Sequence, residues 1–282
     1  MKTGNKEKTD PPTHVFDWGH YAPPTSAKVL LYIISAGISR GSVRKIIFRI
    51  WKRFYPNIVD INKWGIKFRL NISDNNTDAK ILTSSKIYDK EEILFLRKVC
   101  NDGIFVDIGA NIGYYSLSAL TSGAAKVIAI EPNLPTYSRL QFNIQSNGFK
   151  DQENIITLPL GVGPQGKMKL YSKDKDLGSA TLIKPETNTG FQTSIQTRPL
   201  ADILSTYSIE YISCIKVDIE GAEDQALVPY LHDLNPKLLP KSLIIEHCHN
   251  KYWKTNLLHL LQNIGYRQHL KNKSNIILIN NL

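Results

Sequence analysis

Acidic side chains recur where short apolar segments end. Three of them are Asp107 in IFVDI, Glu131 after KVIAI, and Asp218 after IKV. These segments read as β-strands that alternate with helices, a pattern typical of a largely parallel sheet. The C-terminal ends of such strands share one edge of the sheet, and ligands bind there. We therefore expect Asp107, Glu131 and Asp218 to lie on one rim, around a common ligand.

The turn after the first of these segments is Gly109-Ala-Asn-Ile-Gly113. Glycines at a strand-to-helix turn let a nucleotide-like ligand approach the backbone closely. The spacing is GxxxG rather than the GxGxxG of dinucleotide-binding folds, and Asp107 would repel a pyrophosphate. S-adenosylmethionine carries no phosphate, and its methionine end bears an ammonium and a sulfonium. We therefore predict that Asp107, Gly109, Asn111 and Gly113 bind S-adenosylmethionine.

Three further positions complete the predicted cofactor site. Glu131, at the tip of the second strand, could accept both ribose hydroxyls, the role that an acid takes at this place in dinucleotide folds. Gly161, in Leu160-Gly-Val-Gly163, would let the backbone lie beside the adenine ring. Asp218 could offset the sulfonium charge.

The predicted catalytic residues are Asp218, Glu220 and His247. A sugar hydroxyl has a pKa far above 7, so a base must take its proton as the methyl group transfers. His247 is the natural base because of the ordinary pKa of histidine, and Glu220 is the alternative. Glu246 and Asp218 could instead hold a divalent cation, although we predict no metal site. Three other polar residues near this rim are interpreted as structural: Glu223, Asp224 and His249.

From residue 104 onward the pattern predicts a doubly wound, mostly parallel α/β sheet of seven strands. The predicted strands are 104–108, 126–131, 154–160, 212–218, 242–247, 264–269 and 275–280. The predicted helices are 112–121, 135–147, 222–233 and 252–263. An insertion at 166–200 carries shorter strand-like pieces, and substrate loops of this fold lie in such insertions.

Residues 1–88 are predicted to form an N-terminal extension to a domain at 89–282. Its first 26 residues are rich in proline and are expected to be loose. The pattern becomes helical from Ala27, is interrupted at Gly37 to Gly41, and continues as a basic helix at 42–54. A β-hairpin then pairs 58–62 with 66–70.

The next helix is predicted to begin at Asp89. Glu92 follows three residues later, so the two acids predict a variant of the capping box.

The formal charge of +10 is unevenly distributed over the 282 residues. Residues 1–103 hold 18 Lys and Arg against 10 Asp and Glu, whereas the remainder holds 17 against 15. The part that bears the motifs is nearly neutral, which disfavours a nucleic-acid partner. The helix at 42–54 could lie on an anionic membrane surface, or could pack its apolar face on the neighbouring domain.

Several features indicate a cytoplasmic protein. Met1 to Asp10 is polar and is not followed by the apolar segment of a secretory signal. The longest apolar stretch, 29–38, covers ten residues, whereas about 20 are needed to span a bilayer. The three cysteines are few and far apart, as is typical of reduced thiols. Helix 42–54 leaves open a peripheral position at the inner face of a membrane.

Three segments resemble the FkbM family of class I methyltransferases: FVDIGANIGYYSLS at 105–118, AIEP at 129–132 and IKVDIEGAE at 215–223. The resemblance covers roughly residues 90 to 250 and includes GSATL at 178–182 and LADIL at 200–204. It implies a seven-stranded sheet whose last strand runs antiparallel, and S-adenosylmethionine as the methyl donor. It also implies O-methylation of hydroxyls on sugars, glycans or small metabolites.

Other activities fit these residues less well. An NAD-dependent oxidoreductase is disfavoured by the missing GxGxxG. A nucleic-acid methyltransferase is disfavoured because no Asn/Asp-Pro-Pro-Tyr/Phe motif occurs. A non-catalytic relative that binds the cofactor would be free to lose Asp107, Glu131 and Asp218. We predict an S-adenosylmethionine-dependent O-methyltransferase that acts on a sugar, a glycan or a small molecule, with RNA methylation and the non-catalytic relative as alternatives.

Overall fold

The structure is a computed structural model that describes residues 16–34, 36, 42–172, 176–185, 190, 192–232 and 238–280. Part of the stretch predicted to be loose, residues 1–15, lies outside the described residues. Within the described part of the chain, none of the helices combines the length and the apolar content needed to cross a bilayer.

The helices and strands are numbered along the chain. The helices are α1 (Thr25–Ile33), α2 (Ser42–Phe54), α3 (Asn76–Thr83), α4 (Lys90–Val99), α5 (Tyr114–Leu120), α6 (Leu134–Ser146), α7 (Leu200–Thr206), α8 (Glu223–His232) and α9 (Leu257–Asn263). The strands are β1 (Ile58–Lys63), β2 (Ile66–Asn71), β3 (Ile104–Ile108), β4 (Lys126–Ile130), β5 (Ile155–Leu158), β6 (Gly161–Val162), β7 (Gly166–Tyr171), β8 (Gln192–Arg198), β9 (Cys214–Val217), β10 (Ser242–Glu246), β11 (Tyr266–Lys271) and β12 (Asn275–Asn280).

Seven strands form the central sheet, in the order β11-β12-β10-β9-β3-β4-β5. Neighbours from β5 through β10 pair in parallel, whereas β12 runs antiparallel to both β10 and β11. This arrangement confirms the predicted α/β sheet, including its antiparallel last strand. The insertion adds a small separate sheet in the order β6-β8-β7.

The two faces of the central sheet bury two separate apolar cores. Successive residues of a strand point to opposite faces, so Phe105 and Val127 join one core while Val106 and Ile128 join the other. Helices α7, α8 and α9 cover the second core. Helices α4, α5 and α6 cover the first together with the N-terminal elements. Both faces are therefore closed, as the continuous apolar strands of a parallel sheet require.

The hairpin β1–β2 is held by buried polar contacts. Arg69 and Asp60 form an ion pair across it, with 2.7 Å between Nε and Oδ1 and 2.8 Å between Nη2 and Oδ2. Asn143 of α6 accepts the N–H of Arg69 at 2.7 Å, and Asn147, directly after α6, accepts that of Lys67 at 2.9 Å. The N-terminal elements thus share the core of the sheet, and the predicted boundary at residue 88 stays a prediction.

The capping box predicted at the start of α4 is wrong. Asp89 has a left-handed backbone with φ of 46° and makes no capping hydrogen bond. Its carboxylate accepts the Tyr115 hydroxyl at 2.9 Å, and Glu92 accepts the side-chain amide of Asn275 at 3.0 Å. Both carboxylates therefore accept hydrogen bonds from residues distant in sequence, and these bonds form in place of the hydrogen bonds of a local helix cap.

The helix predicted at 252–263 is shorter than expected and begins at Leu257. The carboxylate of Asp224 accepts the backbone N–H groups of Lys254 and Thr255, at 2.6 and 3.1 Å. These bonds hold the segment before α9 outside the helix. Helices α3 and α7 lie outside the predicted helices altogether.

Candidate active site

Packing within the chain requires the glycines of the turn after β3. Gly109 has φ of +81°, and a Cβ there would collide with the backbone carbonyl of Asp218 at the end of β9. Gly113 has φ of +92° and precedes α5, where a Cβ would lie 2.7 Å from Cδ1 of Leu140. Only glycine adopts these conformations without strain. The turn is therefore shaped by the neighbouring strand end as well as by any ligand.

Glu131 and Asn111 meet directly beside this turn. The buried carboxylate of Glu131 accepts the N–H of Asn111 and that of Asn133, both at 2.9 Å. Burial raises the pKa of Glu131 to about 7, although both hydrogen bonds oppose the rise. Asn111 in turn accepts the side-chain amide of Asn75 at 2.7 Å. Hydrogen bonds thus hold the residue that follows β4 against the turn after β3, and hold that turn against the segment before α3.

Asp107 lies beneath the turn rather than in the cleft. It is fully buried, and one carboxylate oxygen accepts the Ser116 hydroxyl at 2.6 Å. Burial raises its pKa, and Lys216 opposes the rise. Lys216 is a buried cation that the sequence analysis missed; its Nζ lies 3.0 Å from Oδ2 of Asp218 and 4.5 Å from the centre of the Tyr115 ring. A lysine inside the apolar run of β9 was the signal that could have revealed it.

A cleft opens at this rim, and its walls come from both halves of the chain. Of the predicted cofactor residues, Gly109, Asn111, Glu131 and Asp218 line it. Gly161 lines an adjoining apolar recess with neighbours such as Leu182 and Ile219. Asp107 and Gly113 do not reach the surface of either cavity. Four further lining residues precede β3, the first strand of the central sheet along the chain: Thr77, Lys80, Tyr88 and Asp89.

Gly178 closes the cleft from the insertion. A Cβ at this position would lie 2.6 Å from Oδ1 of Asn75 and 3.0 Å from Nδ2 of Asn111. The preceding Asp176 accepts the backbone N–H and the side-chain amide of Asn76, at 3.1 and 2.6 Å. The insertion is therefore pinned to the start of α3, directly above the turn after β3.

A second, more open cleft adjoins the first and is rich in carboxylates. Nδ1 of His249 lies 3.2 Å from Oε2 of Glu220 and 3.3 Å from Oε2 of Glu246. Burial, followed by the charge of Asp218, raises the pKa of Glu220 and that of Glu246 to about 8. Both carboxyls and His249 line this cleft, as does Asp176. The arrangement can hold, give or receive a proton near neutral pH.

The loop that carries Glu220 is held in a strained shape. Glu220 has φ of 56°, a left-handed conformation that is costly for a residue with a side chain. The carboxylate of Glu223 accepts the N–H groups of Ile219 and Gly221, both at 3.1 Å, and the indole N–H of Trp253 at 2.7 Å. Glu223 thus acts as a structural residue that positions Glu220.

His247 does not join the cluster. Its Nε2 lies 3.0 Å from the backbone carbonyl of Asn272, in the turn between β11 and β12, and it lines neither cleft. His249, which the sequence analysis interpreted as structural, lies between the two carboxylates instead. The two histidines follow β10 within three residues, and both precede the short 3-10 helix that begins at Asn250. No pattern in the sequence distinguishes them.

The carboxylates could also hold a cation. Oxygen atoms of Asp218, Glu220 and Glu246 lie within 4.8 Å of one another, as do ligand atoms of Glu246, Cys248 and His249. Oxygen ligands of this kind suit Mg²⁺ or Ca²⁺.

The sequence matches the family described as the methyltransferase FkbM domain over residues 107–269, more than half of the chain. The chain belongs to the FkbM methyltransferase family. The match confirms S-adenosylmethionine as the cofactor, as predicted from the turn after β3. The first cleft fits that cofactor, because its acids outnumber its lysines around a space that must take an ammonium and a sulfonium, and an apolar recess adjoins it.

Other comparisons show more distant likenesses of this FkbM-family protein. The tRNA(Phe) (4-demethylwyosine(37)-C(7)) aminocarboxypropyltransferase of Pyrococcus horikoshii is 34% identical over 94 residues, which is 33% of this chain and 31% of that protein. The match therefore spans about a third of that relative.

Solved structures resemble this chain at low identity. M. jannaschii TYW2 in complex with AdoMet has a TM-score of 0.39 and 13% identity, over 79% of this chain and 84% of that one. An rRNA methylase of Streptococcus thermophilus has a TM-score of 0.41 and 12% identity, over 69% and 97% of the two chains.

Proposed function

We propose that this enzyme methylates a hydroxyl oxygen of a sugar, a glycan or another polyhydroxylated small molecule. The observation that supports this most is the second cleft, where Glu220, Glu246 and His249 converge beside the cofactor cleft. Carboxylates and an imidazole can accept hydrogen bonds from several hydroxyls. They also supply the base that a hydroxyl acceptor needs, because its pKa lies far above 7.

The cofactor role of the predicted residues is part of this proposal. Gly109, Asn111 and Glu131 would hold the nucleoside, and Gly161 would border its base in the apolar recess. Asp218 would face the cationic end, while Asp107 and Gly113 support the turn from beneath. S-adenosylmethionine supplies a methyl group activated by its sulfonium. The chain contributes mainly the alignment of the acceptor oxygen with that methyl group, and alignment alone can lower a barrier substantially.

His249 is the proposed general base. We assign its Nδ1–H as the donor to an ionised Glu220 or Glu246, which leaves Nε2 with the lone pair that takes the acceptor's proton. When the partner carboxyl is protonated instead, it donates to Nδ1 and the base is lost. Because both carboxyls have a pKa of about 8, turnover should rise with pH and level off above about 8.

The two neighbouring histidines provide a matched test. We expect His249→Asn to slow turnover by about 100-fold, the contribution of a general base, and to leave the affinity for S-adenosylmethionine unchanged. His247→Asn should retain turnover because that ring faces Asn272. The assay uses donor with a labelled methyl group and a panel of polysaccharides, glycolipids, hydroxylated metabolites and transfer RNA. Loss of turnover in His247→Asn with full activity in His249→Asn would reverse the assignment.

RNA is the second candidate acceptor. The Pyrococcus relative is named for a reaction on tRNA(Phe), and Lys45 and Lys80 line one side of the second cleft. Against RNA stand Asp176 and, as pH rises towards 8, the ionised forms of Glu220 and Glu246 in the same cleft, which would repel a phosphodiester. Methylation of transfer RNA, with the carbohydrate part of the panel inactive, would favour this candidate.

A further inference from the structure

Helix α2 has a broad apolar side, and the described residues bury only part of it. Ile47 and Trp51 are buried, and the Trp51 indole donates to the carbonyl of Pro56 at 3.0 Å. A second apolar stripe faces outward: Val43, Ile46, Ile50 and Phe54 are 41%, 51%, 39% and 72% exposed. The spacing of three or four residues places these four side chains along one side of the helix.

Cations border the exposed stripe. Lys45, Arg49, Lys52 and Arg53 are exposed on α2, and none of them forms an ion pair with an acid in the described part of the chain. The sequence from Trp18 to Val59 contains seven Lys and Arg and no Asp or Glu. The charge around α2 is therefore uniformly positive.

We propose that α2 binds the surface of an anionic lipid bilayer. A helix with exposed apolar side chains beside Lys and Arg inserts its apolar stripe among the acyl chains while its cations meet the lipid headgroups. The alternation of apolar and basic positions distinguishes this partner from RNA. An RNA backbone would engage the cations alone and would leave Ile46, Ile50 and Phe54 in water.

The position of α2 gives this contact a consequence for the enzyme. Lys45 and Phe48 belong to α2 and line the second cleft together with Glu220 and His249. At about 3.6 residues per turn, these two side chains lie on the side of α2 away from the exposed stripe. A lipid surface bound by that stripe would therefore hold a helix whose opposite side borders the cleft.

The test is sedimentation of the full chain with vesicles. One set contains phosphatidylcholine alone, and the other mixes it with phosphatidylglycerol. We expect binding to the second set only, and less of it at high salt. Arg49→Gln/Lys52→Gln should weaken binding by about fivefold for each cation removed, since one cation near such a surface contributes about 1 kcal/mol. Ile46→Ser/Ile50→Ser should weaken it comparably.

The controls lie on α4, whose surface the proposal does not involve. Leu94→Ser and Lys98→Gln change exposed residues of the same types and should bind as the unaltered chain does. Retained S-adenosylmethionine binding shows that each variant is folded. Absence of binding to the anionic vesicles, or equal binding by all variants, would overturn the proposal. The proposal would also be overturned if the chain bound RNA through Arg49 and Lys52 and did not bind either set of vesicles.

Discussion

Nζ of Lys216 lies 3.0 Å from Oδ2 of Asp218, at the point where β9 enters the cleft. Lys216 is almost fully buried, and its ammonium also lies over the Tyr115 ring. Burial alone would lower the pKa of Lys216, but the charges of Asp218 and Asp107 outweigh burial and raise it. One buried cation therefore balances the two acids on either side of the turn after β3.

Lys216→Met should destabilise the protein by about 3 kcal/mol, because it leaves buried acids without their counter-charge. Asp218 is partly exposed, so the loss should lie near the lower end of the range for buried ion pairs. The free energy of unfolding in urea measures the effect. Lys241→Met, at an exposed position before β10, should change that free energy little. An unchanged stability of Lys216→Met would show that the ion pair contributes nothing to the fold.

Glu131→Gln should weaken S-adenosylmethionine binding by roughly 10- to 100-fold, the value of one or two hydrogen bonds to a charged group. The N–H groups of Asn111 and Asn133 bond to different carboxylate oxygens. In the variant one of these oxygens becomes an NH2 group, which cannot accept, so one N–H loses its partner. Titration calorimetry gives the affinity. Glu153→Gln, an exposed change before β5, is the matched control. Equal affinities of the two variants for S-adenosylmethionine would show that Glu131 does not contribute to the cofactor site.

Donor binding should strengthen as pH rises towards 8. Glu220 and Glu246 have a pKa of about 8 in the ligand-free protein, so below that pH they are mainly protonated and neutral. A bound sulfonium favours their ionised forms, and protons are therefore released on binding. Calorimetry in buffers of different ionisation enthalpy measures the release. The demethylated donor, which lacks the sulfonium, should release fewer protons; equal release by both ligands would contradict this account.

Arg69→Met should cost about 3–5 kcal/mol of stability, since it leaves the buried Asp60 carboxylate unpaired. Arg69 also donates to the carbonyls of Phe16 and Asp17, at 2.6 and 2.7 Å, so the N-terminal segment should loosen as well. Denaturant unfolding measures the first effect, and faster amide exchange at Gly19 and Tyr21 the second. Exchange at the sheet strand β4 should keep its native protection in water if the damage is local.

Periodicity and strand-end chemistry were enough to predict the sheet. Apolar runs such as 104–108 and 275–280 had to be strands because both of their faces are buried. The family motif predicted the cofactor, since Gly109, Asn111 and Gly113 lie in one continuous stretch of the sequence.

What the sequence did not predict depends on contacts between distant segments. Asp89 and Glu92 obey a local capping pattern, yet Tyr115 and Asn275 take their carboxylates. His249 lies against Glu220 and Glu246, whereas His247 lies against the carbonyl of Asn272 in the turn between β11 and β12. Both outcomes are decided by residues far away in the chain or by a turn without a distinctive pattern.

The cleft depends on more of the chain than the family motif covers. The match begins at residue 107, whereas Thr77, Lys80 and Tyr88 line the cleft from α3 and the segment after it. A fragment that contains only 107–269 would lack this part of the cleft wall and would expose to water the side of α6 that packs against β2. We expect such a truncation to aggregate when expressed. Recombinant fragments for assay or crystallisation should therefore keep the chain from Phe16 onward.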